Sequence, residues 1–224
     1  MDKIFGALVA DVIDSTSLSR DDLLRLSDEV DKCFADAKYY VSIQFWGRLV
    51  RGDTIECCLQ SPCMALRLAI LIKCRIKAWA GELNCSEALQ NMGIRFSIGV
   101  GNMRIVDPQI DIMDGEAIYI AGRNLNKITN TSFTSSFGFD ANDWNLAGLI
   151  NISIALLDDL INSLSAKQSA VIYHMLLGLN QMEISKLLFI SQSSVNSRAQ
   201  KAGWRLILDT LRVYERINFI DYVV

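Results

Sequence analysis

The sequence predicts an α+β domain with a mainly antiparallel sheet and helices on one face, followed by an all-α domain. Over the first 140 residues, short apolar runs that end at polar turns alternate with amphipathic helical segments. From about residue 142 onward the pattern is helical. A chain of 224 residues with 51% apolar residues can bury one large core or two small ones. We therefore expect domains at 1–140 and 164–224, joined by a linking helix at 141–163.

The elements of the first domain are predicted in the order β-α-β-β-α-β-α-β. Residues 4–10 form an apolar run typical of a buried strand, and residues 20–40 carry an apolar stripe after Ser19, a suitable N-cap. Two strands joined at "RGD" follow, since Gly-Asp is a hairpin signal. The later elements are a helix from Pro62 to about Ala80 that ends at Gly81, a strand "IRFSIGVG", a helix at 115–129 and a strand at 132–138. This order is typical of a ferredoxin-like arrangement.

The second domain contains three predicted helices. The first, at about 166–177, ends before Gly178, and the second spans about 181–188. Ser191 is a natural N-cap for the third helix, "QSSVNSRAQKAG". That helix turns small apolar residues toward its neighbours: Val195, Ala199 and Ala202. Its opposite face carries amides and hydroxyls: Gln192, Ser193, Asn196, Ser197 and Gln200.

This polar face has the chemistry of a helix that contacts base pairs in the major groove of double-stranded DNA. Amides pair with adenine edges and hydroxyls suit several bases, so the five polar residues are the predicted base contacts. Four basic residues flank them and are the predicted phosphate contacts: Lys186, Arg198, Lys201 and Arg205. An alternative role for Arg198 is a salt bridge to Glu183. The alternative for the whole module is helix packing without DNA.

The stretch "LSAKQSAVIYHMLLGLNQMEISKLLFISQSSVNSRAQKA" resembles the helix-turn-helix of sigma-factor region 4 and of LuxR-type regulators. The matching segments are "LSAKQ", "GLNQMEISKLL" and "ISQSSVNSRAQKA". The resemblance spans about 40 residues and implies a DNA-binding domain.

Two carboxylates of the first domain are candidate magnesium ligands. Asp11 ends the first strand and Asp53 lies at the hairpin, so the predicted topology places them on neighbouring strands. Carboxylate oxygens suit Mg²⁺. The alternative interpretation is structural: Asp11 and Asp14 would begin a helix, where carboxylates complement free N–H groups, and Asp53 would belong to a turn.

These motifs resemble class III nucleotide cyclases. "VADVIDSTSLS" and "RGDTIECCL" resemble the two metal-binding segments at Asp11 and Asp53, and "DGEAIYIAGRNLNKI" resembles the nucleotide-site helix. The resemblance implies a cyclase-like fold and a nucleotide phosphate contact at Arg123. The family's Asn position is Tyr119 here, and Leu49 replaces its base-selecting lysine. Losing a transition-state donor costs about 10²–10³ in rate. We therefore expect a degenerate site without catalytic residues.

The combination of the two domains also resembles the bacterial SatD family, whose "GDIV-S-" type of opening compares with "ADVIDSTSLS". That resemblance implies an architecture rather than an activity.

Charge and cysteine usage indicate the compartment and the partners. From Leu164 onward the chain has 7 Lys/Arg against 4 Asp/Glu, whereas the preceding part has 15 against 21. A basic C-terminal part beside an acidic partner favours contact with nucleic acid.

The 6 cysteines contain no CxxC pair, which is typical of a reducing cytosol. The apolar runs are short or interrupted by charge and there is no signal pattern, so we expect a cytoplasmic protein without a membrane span.

These observations predict a DNA-binding transcription regulator, a homodimer whose first domain serves dimerisation or the sensing of a nucleotide or small-molecule ligand. One alternative is a Mg-dependent cyclase or other nucleotide-binding enzyme that carries the helical domain. Another is an adaptor that binds a protein. The role of "NFIDYVV" at the C-terminus stays open.

Overall fold

A computed structural model describes residues 3–13, 15–81, 93–128, 134–139 and 144–221. Within these ranges the strands are β1 (Ile4–Val12), β2 (Phe45–Val50), β3 (Thr54–Leu59), β4 (Ile94–Asp107), β5 (Ile112–Gly115) and β6 (Ser135–Phe139). The α-helices are α1 (Arg20–Tyr40), α2 (Ala65–Ala80), α3 (Glu116–Ile128), α4 (Trp144–Ser163), α5 (Ala166–Leu176), α6 (Gln181–Leu187), α7 (Gln192–Lys201) and α8 (Trp204–Glu215). The α+β class and the helical C-terminal part are as predicted.

The strands form one sheet in the order β2-β3-β1-β4-β5, and β6 pairs with β4. Every pairing is antiparallel except the one between β4 and β6. The prediction of a mainly antiparallel sheet is confirmed. Helix α3 approaches β4 very closely, because a Cβ at Gly99 would lie only 2.1 Å from the Ala117 carbonyl oxygen. Only glycine allows this contact between a strand and a helix.

Helices cover the sheet on both faces. Side chains of a strand alternate between faces, and on β1 Leu8, Ala10 and Val12 pack in the cluster that includes α1 and α2. Ala7 and Val9 pack instead against α3. The prediction of helices on one face is therefore wrong. Its physical reason is that β1 is apolar on both faces, and each face needs its own cover.

Two hairpins differ in detail from the sequence-based expectation. In the β2–β3 turn Arg51 has φ 56° and Gly52 has φ 88°, the left-handed pair of a tight hairpin, and Asp53 closes the turn with its N–H donating to the Val50 carbonyl at 3.3 Å. Around Pro108, where no further strand was predicted, β4 pairs with β5 in a second hairpin. The short β5 has the sequence "IMDG", which shows no apolar alternation, so the sequence did not indicate a strand. Its pairing with β4 contains a register shift.

Helix α4 has one buried and one exposed apolar face. Ile150, Ile154, Leu157 and Ile161 belong to the main core. Leu149, Ile152 and Leu156 are 65%, 62% and 70% exposed. Residues 145–163 are long and apolar enough to cross a membrane by length and composition, a longer stretch than the sequence analysis recognised. A core helix can pass the same test, and this helix packs against β6, α2 and α8.

The C-terminal helices share the core of the sheet. Residues of α5 and α8, including Tyr173 and Leu211, belong to the same apolar cluster as α2 and β1. In the C-terminal segment "NFIDYVV", the Phe219 ring lies 5.9 Å from the Phe137 ring and 5.6 Å from the Tyr214 ring. The segment therefore begins as part of the core; its last three residues lie outside the described ranges.

Buried free thiols make the stability of this core depend on pH. Cys33 and Cys74 are fully buried and unpaired, and burial raises the pKa of each thiol to about 12 from an ordinary 9.0. Between these values the unfolded chain releases thiol protons that the folded chain keeps. The free energy of unfolding therefore falls as the pH rises through this window, by about 1.4 kcal/mol per pH unit and thiol.

We expect urea denaturation to show a steep loss of stability above about pH 9. In a Cys33→Ala, Cys74→Ala variant the fall with pH should be shallower, even if the variant is less stable at pH 7. Cys63→Ala is the matched control, because this thiol is only partly buried. Parallel pH profiles for the wild type and the double variant would contradict the prediction.

Candidate functional site

Three N-caps define the helices of the C-terminal module. The side chain of Ser165 accepts a hydrogen bond from the N–H of Gln168 and begins α5. Asn180 begins α6 in a capping box with Glu183, and Ser191 begins α7. Each cap satisfies free N–H groups, so each helix starts at a residue that the sequence determines.

The module closes around a small apolar centre made by three helices. Val171 of α5, Ile184 of α6 and Val195 and Ala199 of α7 pack together and are buried. Ala202, after the end of α7, is buried as well. The predicted inward orientation of the apolar face of α7 is therefore confirmed. Small side chains at these positions allow α7 to cross its neighbours at short distance.

The opposite face of α7 is open to solvent. All five predicted base-contact residues are exposed: Gln192, Ser193, Asn196, Ser197 and Gln200. The side-chain amide of Gln181 on α6 lies 3.4 Å from the Asn196 side-chain oxygen and joins the same surface. We call these six residues the polar face. None of them is covered by the described part of the first domain.

The predicted phosphate contacts surround the polar face. Lys186 and Lys201 are exposed and Arg198 is half-buried, whereas Arg205 lies 3.7 Å from Asp209 on its own helix. Across the described ranges, no carboxylate forms an ion pair with Arg198, Lys186 or Lys201. Their charges are therefore available to an outside anion.

The alternative salt bridge of Arg198 with Glu183 is not formed. The Glu183 carboxylate instead accepts a hydrogen bond of 2.7 Å from the N–H of Asn180. Sequence reasoning missed Lys167, which lines one concave surface together with Arg198 and Lys201. Lys167 lies two residues after the cap Ser165, in the exposed first turn of α5, and this position could have identified it as a phosphate contact.

Polar contacts fasten the module to the first domain. The Tyr173 hydroxyl of α5 donates to Asp36 of α1 at 2.6 Å. Arg67 of α2 pairs with Glu215 of α8 at 2.6 Å and donates to the Leu176 carbonyl at 3.1 Å. These contacts and the shared core hold the module so that the polar face points away from the sheet.

The two predicted metal ligands lie at one end of the sheet. Asp11 on β1 is in register with Thr54, the residue after Asp53, and the Val12 N–H donates to the Asp53 carbonyl at 3.1 Å. The structure therefore places both acids at the same end of two adjacent strands. Asp14, the third carboxylate of this region, lies outside the described residues.

Other side chains occupy the oxygens of both carboxylates. Arg95 on β4 donates to the two oxygens of Asp11 at 3.1 Å and 2.7 Å, a bidentate ion pair. Asp53 accepts from the Ser15 hydroxyl at 2.8 Å. Among the described residues no group of three or more metal-ligating side chains is found. As arranged, these residues do not fit Mg²⁺, because the guanidinium already supplies the positive charge at Asp11. Arg95 was missed in the sequence, since its pairing depends on strand order.

The nucleotide-site helix is also engaged in contacts of its own. Arg123 on α3 pairs with Glu116 at 2.6 Å and its side chain is exposed. The Tyr119 hydroxyl, at the expected Asn position, donates to Asp114. This hydrogen bond raises the pKa of Tyr119 and lowers the pKa of Asp114. The predicted phosphate contact is therefore paired with a carboxylate on its own helix.

Solved structures similar to this chain are nucleotide cyclases. A bacterial light-regulated adenylyl cyclase aligns with a TM-score of 0.44 and 15% identity over 61% of this chain and 76% of that chain. The GGEEF domain of a diguanylate cyclase from Vibrio cholerae has a TM-score of 0.42 and 12% identity over 61% of this chain and 83% of that chain. The guanylyl cyclase domain of a RhoGC fusion protein from the aquatic fungus Blastocladiella emersonii has a TM-score of 0.41 and 15% identity, over 55% and 74%.

No protein-family model and no curated protein sequence matches the chain.

Proposed function

We propose that this protein binds double-stranded DNA through the polar face and regulates transcription. The observation that supports this proposal is the orientation of α7: its apolar side is buried in the module while its amides and hydroxyls are exposed. A helix of 10 residues is about 15 Å long, and the major groove is about 12 Å wide. The first two turns of α7 would therefore contact base edges.

Charge supports the same orientation on DNA. Lys167, Lys186, Arg198 and Lys201 would contact phosphates on the two sides of the polar face, and they bring positive charge to a surface that otherwise has only neutral polar groups. Arg205 would take part after leaving Asp209. The sequence before Leu164 is acidic and would face away from the phosphates. A cytoplasmic location fits this function, because free cysteines such as those among the described residues are typical of reducing compartments.

Replacing Arg198 and Lys201 by alanine should weaken DNA binding at every sequence. Each lost phosphate contact should also reduce the slope of log K against log salt concentration by about 0.9, so the double variant should lose nearly two units of slope. Fluorescence anisotropy with genomic fragments over a salt series measures both quantities. The matched control is Arg104→Ala with Lys127→Ala, which removes the same charge from exposed positions of the first domain.

Asn196→Ala provides the complementary measurement. It should reduce the preference among DNA sequences and leave the salt slope unchanged, because it removes a base contact and no charge. An unchanged slope in the Arg198 and Lys201 double variant would refute the phosphate assignment. Absence of any DNA binding would favour the adaptor alternative, for which the 94% exposed ring of Phe189 offers an apolar contact.

One short recognition helix such as α7 binds DNA weakly, and two copies of the protein on one site bind more tightly. We propose a homodimer that associates through the exposed face of α4. Leu149, Ile152 and Leu156 follow one another at helical spacing and are uncharged, so a two-fold axis can bring the apolar faces of two copies together. Their exposure is unusual for a monomer.

Ile152→Lys should prevent this association. Light scattering of the wild type should then give twice the chain mass of 25.0 kDa, and the variant should give the chain mass itself. The control Leu24→Lys makes the same type of change at a 58% exposed apolar residue of α1, away from α4, and should remain dimeric. A monomeric wild type at micromolar concentration would contradict the proposal.

A second candidate function is nucleotide binding or cyclisation at the end of β1. The juxtaposition of Asp11 and Asp53 on neighbouring strands favours it. Against it stand the bidentate pairing of Asp11 with Arg95 and the pairing of Arg123 with Glu116.

The test of this candidate is incubation of the protein with ATP or GTP and Mn²⁺, followed by chromatography for cyclic products. Since both carboxylates are engaged, we expect no product and no change of the melting temperature with Mg²⁺. Product that disappears in Asp11→Ala and in Asp53→Ala would establish the enzyme and make DNA binding a secondary property. Ser17→Ala, near this end of the sheet, is the control: it should leave the amount of any product unchanged, which excludes a loss of folded protein as the cause.

A further inference from the structure

A cavity of about 400 Å³ lies between α2, the start of β4 and the last turn of α4. This volume is within the range of small-molecule sites. Its apolar wall is formed by four isoleucines: Ile13, Ile76, Ile94 and Ile161. Its polar lining is formed by Lys73, Lys77, Thr134 and Asn162. The cavity therefore combines an apolar wall with two ammonium groups.

One of the two lysines is neutralised inside the protein. Lys73 donates to Asp158 of α4, and their side chains are only 5% and 2% exposed. Thr134 donates to the other oxygen of Asp158, and the Asn162 amide lies 2.9 Å from the Thr134 hydroxyl. Both oxygens of this carboxylate are thus engaged, and its single negative charge is matched by Lys73.

Lys77 is the group without a countercharge. Its ammonium contacts the carbonyl oxygens of Asn162 and Ile161, the latter at 3.5 Å, at the C-terminal end of α4. Over the described ranges no carboxylate pairs with it. Burial lowers the pKa of Lys77 and the charge of Lys73 lowers it further, and the opposite charge of a bound anion would favour the protonated ammonium. An ammonium has three N–H donors, and two carbonyls leave one donor for a ligand.

We propose that this cavity binds a small monocarboxylate with an apolar body. The carboxylate accepts a hydrogen bond from Lys77, and the body packs against the isoleucine wall. Two ammonium groups and one carboxylate leave a single positive charge, which matches one negative charge rather than a phosphate dianion. The site is separate from the polar face and from Asp11, and its ligand touches the last turn of α4.

The probe is 3-phenylpropionate, compared with the neutral 3-phenylpropanol and with inorganic phosphate. Calorimetry on the full chain should give a dissociation constant of about 1 mM or below for the acid. The alcohol should bind at least about tenfold more weakly, since it lacks the charged hydrogen bond. In spectra of ¹³C-labelled isoleucine methyl groups, the acid should shift the four wall residues, which locates the site.

Variants separate this site from non-specific binding. Lys77→Gln should weaken the acid at least about tenfold, whereas Lys77→Arg should keep most of the affinity, because only the latter keeps the charge. Lys127→Gln removes a lysine from the exposed side of α3 and should change nothing. Ala80→Leu fills the cavity from its lining and should abolish binding even if Lys77→Gln fails to fold.

Several results would overturn the proposal. These are equal affinity for acid and alcohol, unchanged affinity in Lys77→Gln or in Ala80→Leu, and no binding of the acid at 10-fold above the expected constant. Inorganic phosphate that shifts the same methyl groups more tightly than the acid would also overturn the choice of ligand. None of these measurements involves DNA, so their outcome is independent of the function proposed above.

Discussion

The burial of α2 on every side is the constraint on which the rest of this structure depends. One side of the helix packs on β1 and β4, and the others pack on α1, α4, α5 and α8. Apolar residues occur on every side of this helix, so they must be enclosed from several directions, and no single sheet face can do this. The C-terminal helices therefore complete the core of the first domain rather than hang from it. The only ammonium in the middle of α2, Lys73, is accommodated because Asp158 enters from α4.

This enclosure fixes the surface that remains for function. Since α5 is held against α1 and α2 by Tyr173 and by apolar contacts, α6 and α7 lie on the outer side of the module. Small residues on the inner side of α7 bring it close to its neighbours, and its amides and hydroxyls stay in water. The same rigid attachment means that a change at α4 can reach the polar face only by moving packed helices together.

The end of β1 illustrates how neighbours decide the chemistry of a side chain. Two carboxylates on adjacent strands are a common arrangement for a divalent cation, yet here a guanidinium from β4 takes both oxygens of Asp11. The isoleucine-lined cavity shows the opposite case: Lys77 is half-buried without a carboxylate, so the unmatched charge is positive. Residue types alone thus predicted a metal site at Asp11 and Asp53 that the structure does not support. They gave no indication of the cavity beside Lys77.

The sequence by itself determined the order of the elements apart from β5, the caps at Ser19 and Ser191, and the division of α7 into a buried and an exposed face. These features depend on contacts between residues at most a few positions apart, where periodicity and capping chemistry act directly. Only the tertiary structure decided that α3 covers the second face of the sheet, that Arg95 pairs with Asp11 and that Lys73 meets Asp158. Those last two pairs join residues 84 and 85 positions apart. Their formation depends on strand order and helix packing, and a linear pattern of residue types carries no record of either.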